Sequence, residues 1–474
     1  MKIFVYAFAN TALFFNEVFI ESQKNQDDIE WGIIYPGYSY KDSSKNIIKE
    51  KNIFYLYQEF NNYFYNKNRK NIEYSYPYDS DNIHRMIDGS KHGYKRYNRY
   101  KQEKNANIIY ELYKNYLLGV MPDYIIFPDL EVVDGLILLN ICKELNIEIL
   151  YSVDTRLFGK SFFAKDYYET LPDYYGKINE IDIYESKMFI KDFSDKRISA
   201  FNVRNYGTKY KKVKIPSIYI RFFRGLYYKY KYERNAIIET TLVTKLMILL
   251  PNFHKLYRII KYKFLQKHFF LINSKKEKEI PENFILYPLQ MTPESSINTL
   301  EQYFIDQEKL IDMIRLNMPN NFYLLVKEHP VMIGFRDTQF YKRVANKSGV
   351  MLVDPQISTI KLIELSKLVI TITGTVGLES YLNSKRVLMF GPTFFSHLCS
   401  RFDSYLNLRN TLYELIFNVE KNSENKIIDI AKINNISYDF ILNDPLFYPE
   451  VMSIANIANF IDSVKTHIKR IQNV

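Results

Sequence analysis

Chemistry is most legible in two stretches of the C-terminal half. The first is Lys327-Glu328-His329-Pro330, which closes the apolar run Asn321–Val326. An imidazole there can hydrogen-bond phosphate oxygens or give a proton to a departing phosphate, and Pro330 restricts the backbone that carries it. Lys327 and Arg336 supply positive charge suited to a phosphate or a carboxylate, or else form surface ion pairs. The second stretch is Thr373-Gly374-Thr375-Val376-Gly377-Leu378-Glu379. Glycine lets the backbone approach a ligand, the threonines add hydroxyl donors, and the opening of a helix presents free N–H groups to an anion. Glu379, about one turn into that helix, is within reach of a ribose diol. The same segment also reads as a plain strand-to-helix turn with threonine capping.

These residues need a scaffold that gathers them, and the pattern around them provides one. Short apolar runs at 283–287, 321–327, 350–353, 368–373 and 386–390 alternate with helical patterns at 308–317, 340–348, 359–366 and 377–384. That alternation predicts βαβ units and a parallel sheet, whose ligands lie outside the carboxyl ends of the strands. The polar residues that follow each run then form a rim: Gln290, Thr292 and Glu294; Lys327 to Pro330; Asp354, Ser358 and Thr359; Thr373 to Glu379; and Gly391 to Thr393.

The N-terminal part predicts a second set of such units. Lys2–Ala9, Trp31–Tyr35, Tyr124–Phe127 and Glu148–Ser152 read as strands, and Asn107–Leu118 and Val133–Leu145 as helices. Residues 42–104 read as loops and excursions. Asp129, Glu131 and Asp134 follow the Tyr124–Phe127 strand, where a carboxylate could take a proton from an acceptor hydroxyl or cap the next helix. Residues 164–278 lose strand-like alternation and interleave basic with aromatic side chains, as in Arg221–Lys231, which predicts partly amphipathic helices. The expected organisation is an N-terminal domain over 1–163, a helical basic-aromatic excursion over 164–280, a ligand-binding domain over 281–450, and a C-terminal helix over 451–474 that crosses back to the first domain.

Composition narrows the function classes. The formal net charge of +11 is concentrated around Lys91–Lys104 and Lys209–Lys278, away from the motif-bearing half. With no zinc-finger, RNP-like or helix-turn-helix pattern beside it, nucleic acid is a disfavoured partner and an anionic membrane surface a better one. No window reaches the roughly 18 apolar residues of a spanning helix, and the N-terminus lacks the features of a signal peptide. Two distant cysteines, Cys142 and Cys399, make no disulfide framework. A cytoplasmic chain, either soluble, with the basic-aromatic helices packed on the first domain and their lysines in water, or peripheral at the inner face of a membrane, is the expectation. No metal site is expected: His-Glu-x-x-His and Cys-x-x-Cys are absent, and Asp79-Ser80-Asp81 reads as a solvated loop.

The combined motifs resemble those of bacterial capsule polysaccharide biosynthesis proteins, a family that includes Kdo transferases of glycosyltransferase-B architecture. The residues that carry the resemblance lie between Ile285 and Gly391. They are Tyr287-Pro288-Leu289-Gln290 with Pro293-Glu294, Val326-Lys327-Glu328-His329-Pro330, Thr371 to Glu379, and Val387 to Gly391. The resemblance implies an α/β fold of two Rossmann-like domains facing across a cleft. It also implies that His329 meets the donor phosphate, Thr373, Gly374 and Thr375 cradle it, and Glu379 meets the ribose, with Gln290 and Glu294 at the cleft and Lys327 beside the donor. One departure is Ser380, where the family has alanine or glycine. The implied activity is transfer of a sugar, Kdo or a related acidic sugar from a CMP donor, to a surface or capsular glycan or a lipid-linked glycan. It would be metal-independent, with no cofactor beyond the nucleotide-sugar co-substrate. The alternatives are a polyol-phosphate transferase, a nucleotide-sugar 2-epimerase, and a non-catalytic assembly or export component.

Overall fold

A computed structural model describes residues 1–7, 11–37, 44, 46–65, 99–128, 130, 133–157, 159–172, 177–196, 257, 260–292, 297, 300–418, 426–443, 445 and 448–473. The chain forms two compact units. The described parts of the first lie within Met1–Gly176 and Ile436–Val474, and those of the second within Lys177–Val203 and Val243–Asn435.

In the first unit the elements run β1 (Lys2–Tyr6), α1 (Thr11–Lys24), β2 (Glu30–Tyr35), β3 (Ile53–Tyr55), α2 (Leu56–Tyr65), α3 (Arg99–Val120), β4 (Tyr124–Phe127), α4 (Val133–Glu144), β5 (Glu148–Asp154) and β6 (Ser161–Ala164). They build a six-stranded sheet in the order β3-β2-β1-β4-β5-β6. All pairings are parallel except that of β6, which returns antiparallel to β5. β1 and β4 are buried on both faces, which explains their uninterrupted apolar sequences. Gly32 is required on β2, because a Cβ there would lie 2.2 Å from the Phe4 ring.

The second unit contains α5 (Glu180–Lys196), β7 (Phe284–Pro288), α6 (Gln307–Asn317), β8 (Tyr323–Lys327), α7 (Thr338–Ala345), β9 (Val350–Val353), α8 (Thr359–Leu365), β10 (Leu368–Thr371), α9 (Val376–Leu382), β11 (Val387–Met389), β12 (Ser400–Arg401), α10 (Leu408–Phe417) and α11 (Lys426–Asn435). A further helical run at 260–273 lies against it. Its sheet has the order β12-β11-β10-β7-β8-β9, parallel throughout. Counted from each unit's own first strand, both sheets share one order, and the chain reverses direction across the sheet beside that strand. The expected α/β class with Rossmann-like units is therefore observed. The final helix, α12 (Ile454–Gln472), belongs to the first unit, where Phe460 packs edge-on against Phe14 of α1.

Several local expectations need correction. Helix α1 was not expected: its apolar residues follow directly on those of β1, and a short apolar run does not reveal its period. Residues 42–104, read as loops, contain β3, α2 and the start of α3, while 66–98, with Asp79 and Asp81, lie outside the described residues. β1 stops at Tyr6 rather than Ala9, and the edge strands β6 and β12 were too short to register. Of the excursion at 164–280, residues 197–256 lie outside the described residues. Among the described residues no helix is long and apolar enough to cross a membrane.

Candidate functional site

Where a parallel sheet reverses its winding, the loops leaving the two central strands diverge and open a crevice at their carboxyl ends. In the second unit that point lies between β7 and β10. Gln290, two residues past β7, spans it: its Nε2 donates to Thr371 Oγ1 at 2.8 Å. Thr371 Oγ1 also accepts from the Gly374 backbone N–H at 3.1 Å. A Cβ at residue 374 would lie 2.5 Å from Gln290 Nε2 and 2.8 Å from Thr371 Oγ1, so only glycine fits beneath this bridge. Gln290 is itself fixed by Gln307, whose Oε1 accepts its N–H at 2.7 Å and whose Nε2 donates to its carbonyl at 3.1 Å.

On the other side of β7, the end of β8 forms a second, electrostatic centre. Glu328 is completely buried. Its Oε2 accepts from Arg336 Nε and from Tyr341 Oη, both at 2.7 Å, and its Oε1 from the His329 N–H at 2.7 Å. Arg336 in turn donates from Nη2 to the Gln290 carbonyl at 2.8 Å. This guanidinium is therefore an internal brace rather than a charge offered to ligand. Glu328, with its acceptor capacity committed, is a brace as well. Together they tie the loop after β8 to the loop after β7.

Lys327 and His329 behave differently. Both line a pocket of about 260 Å³ at the carboxyl ends of β8 and β9, shared with Pro288, Gln356, Ser358 and Thr359. Lys327 is only 5% exposed and donates from Nζ to the Pro355 carbonyl at 3.0 Å. Burial lowers its pKa, opposed by the carboxylates of Glu328 and Asp354. His329 is partly open to solvent, yet the protein crowding its ring, and then the Lys327 charge, push its pKa below the ordinary histidine value. Its Nδ1 accepts from the Val331 N–H at 3.3 Å. With Nδ1 placed as acceptor, the neutral ring that this lowered pKa favours carries its proton on Nε2, where it can be donated.

The remaining expected residues fall as follows. Thr373 and Glu379 are buried, Gly374 and Thr375 half-buried, and Glu379 occupies the first turn of α9. Since β7 separates β8 from β10 and neighbouring strands lie ~4.8 Å apart, the His329 and Gly374 strand ends stand about 10 Å apart. Glu294 lies outside the described residues, as do Asp129 and Glu131. Asp134 is described, at the start of α4 in the first unit and near the β1–β4 reversal. Tyr6 Oη donates to its Oδ2 at 2.8 Å, and burial raises its carboxyl pKa to about 6, against the lowering effect of the Tyr6 and Tyr113 hydroxyls. Gln307 was missed: it lies on an apolar helix face, and no local signal marks it. Thr371 belongs to the motif that carries the resemblance, but its part in the bridge was not read from it.

Two doubly wound α/β units, one with a basic pocket at its carboxyl edge, define a fold class shared by nucleotide-dependent enzymes of several chemistries. Residues 222–401 match the model of the family described as capsule polysaccharide biosynthesis protein, and the motifs between Ile285 and Gly391 fall within that span. No curated protein matches the chain. Among solved structures it is similar to the beta Kdo 2,7 transferase of KpsC from Thermosulfurimonas dismutans, at 11% identity over 72% of this chain and 88% of that one, with a TM-score of 0.31. The beta Kdo 2,4 transferase of the same protein gives 12% identity, 72% and 86% coverage, and a TM-score of 0.33. UDP-GlcNAc 2-epimerase from Methanocaldococcus jannaschii gives 12% identity, 92% and 99% coverage, and a TM-score of 0.25. Likeness at these levels does not choose between transferase and epimerase, and the chemistry has to come from this chain's own residues.

Proposed function

We propose that the protein is a glycosyltransferase that moves a sugar from a nucleotide donor to a bacterial surface or capsular glycan, with its donor site on the second unit. The observation that carries this reading is the pocket at the end of β8. There a buried lysine and a histidine whose Nδ1 is already occupied line one pocket, one strand away from the Gly374 turn that packs beneath Gln290. In this reading His329 and Lys327 take the donor phosphate, Thr373, Gly374 and Thr375 contact the nucleotide, and Glu379 takes the ribose diol.

The leaving group of a nucleotide-sugar is a phosphate, which departs as an anion and needs charge stabilisation more than protonation. A neutral imidazole N–H beside an ammonium suits that task, because both are in place before charge develops. His329 is accordingly assigned as a hydrogen-bond donor to the departing phosphate, not as the source of its proton. A CMP-activated acidic sugar such as Kdo is the favoured donor, in line with the resemblance of the motifs around Lys327, His329 and Gly374 to those of capsule-family Kdo transferases. Asp134 is proposed to take the proton of the acceptor hydroxyl, a role suited to a carboxylate with a pKa of about 6.

The test is incubation with CMP- and UDP-activated sugars and a capsular oligosaccharide acceptor, with detection of released nucleotide. Acceptor-dependent CMP release supports the reading. Conversion of a UDP-sugar to its epimer without nucleotide release would replace it.

A further inference from the structure

The helical run at 260–273 has two faces with different chemistry. Its inner face is locked to the second unit. Gln266 is fully buried, donates from Nε2 to the Arg336 carbonyl at 2.6 Å and to Thr338 Oγ1 at 3.1 Å, and accepts from the Gly334 N–H at 2.7 Å. Phe270 packs edge-on against Tyr341 at 4.9 Å. Its outer face presents Ile260, Phe264 and Leu271, which are 39, 75 and 68% exposed. Spacings of four and seven residues place these three on one stripe. At 3.6 residues per turn, Lys263 and Lys267 border the stripe on one side and Lys261 and His268 on the other, all exposed. Ile272 and Leu265 extend the exposed apolar surface at 66 and 42%. The sequence from Tyr257 to Asn273 contains no aspartate or glutamate.

An apolar ridge between rows of lysine, with no acid to neutralise it, matches the interface of an anionic bilayer, where the ridge enters the acyl boundary and the lysines meet headgroup phosphates. We infer that the outer face of this helix, Ile260, Phe264 and Leu271 with Lys261, Lys263 and Lys267, docks the protein onto an anionic membrane. A rigid bond network supports that face. Gln266 clamps the helix to the segment carrying Arg336 and so to the loops at the candidate donor site. Docking therefore needs no unfolding of the helix and holds that site near lipid-linked substrates.

The experiment is co-sedimentation of the full-length protein with phosphatidylglycerol vesicles and with phosphatidylcholine vesicles, alongside a Phe264→Glu/Leu271→Glu variant. The expected result is binding to the anionic vesicles only, lost in the variant. A second variant, Lys261→Gln/Lys263→Gln/Lys267→Gln, changes only solvent-facing groups and decides the matter should the first fold poorly. Each lysine near an anionic surface contributes roughly fivefold to partitioning, so removing three predicts a loss on the order of a hundredfold. Wild-type protein that ignores anionic vesicles, or a lysine variant that binds them undiminished, overturns the proposal. So does a dimer in solution that Phe264→Glu dissociates, since a second copy would then cover the ridge. The readout requires no nucleotide, so it stands or falls apart from the transferase reading.

Discussion

Asp134→Asn separates two roles that the sequence could not separate, a helix-start carboxylate and a proton acceptor. The carboxyl pKa rises from an ordinary 3.8 to about 6 because burial disfavours its charged form. The folded state then holds this proton more tightly than the unfolded chain does. Stability is therefore full below about pH 4, falls as pH rises towards 6, and is flat above that. A rise from 3.8 to about 6 caps the destabilisation at neutral pH at roughly 3 kcal/mol, and the half-buried side chain, screened by solvent, realises less of it. Asparagine keeps an oxygen for the Tyr6 hydroxyl but carries no charge. The variant should therefore be more stable than the parent at about pH 8, by up to ~3 kcal/mol, and equal to it near pH 4. Denaturant titration followed by Trp31 fluorescence is the assay, because this is the only tryptophan and lies buried in the same unit. If Asp134 is also the base, transfer should fall ~10²–10⁴-fold while stability rises. A variant no more stable at high pH than the parent would refute the buried-acid account. Unchanged turnover would remove Asp134 from the mechanism.

Two further predictions concern the second unit. His329→Ala should reduce transfer by about 10²–10³-fold without lowering the melting temperature, and His329→Gln, which offers a neutral N–H, should recover part of the loss. A rate that depends steeply on histidine protonation would contradict the neutral-donor role. Glu328→Gln leaves the Arg336 guanidinium buried without its counter-charge and should cost about 3–5 kcal/mol, whereas Tyr341→Phe, which removes one hydrogen bond, should cost ~1 kcal/mol. Denaturant unfolding measures both, and a mild Glu328→Gln phenotype would show that the pair is not the brace described.

The second sheet was legible because each of its central strands is a short apolar run ended by polar or glycine residues. In a parallel sheet this punctuation marks the ligand edge. It placed Lys327, His329 and Gly374 at strand ends without any knowledge of strand order. What local pattern could not supply was the bridge from Gln290 to Thr371, residues 81 positions apart that meet only because β10 lies beside β7. Glu328 was misleading for a related reason. It read as one charge in a charged motif, yet its partners Arg336 and Tyr341 arrive from a later loop and helix and enclose it. In the first unit, α1 was hidden by apolar continuity with β1, and β3 by its brevity within a polar, aromatic stretch.

A nucleotide site running from the β8 pocket to the Gly374 turn at the β7–β10 reversal of the second unit is tested directly by calorimetric titration of CMP into the parent and Gly374→Ala. The added Cβ must displace the Gln290–Thr371 bridge and shift the turn that would contact the nucleotide, and loss of one or two turn-to-ligand hydrogen bonds at ~1 kcal/mol each predicts roughly tenfold weaker binding. Saturable binding by the parent, weakened in the variant, is the expected result. No binding of CMP, CDP, UDP or GDP by the parent, or equal CMP affinity in both proteins, would contradict the claim.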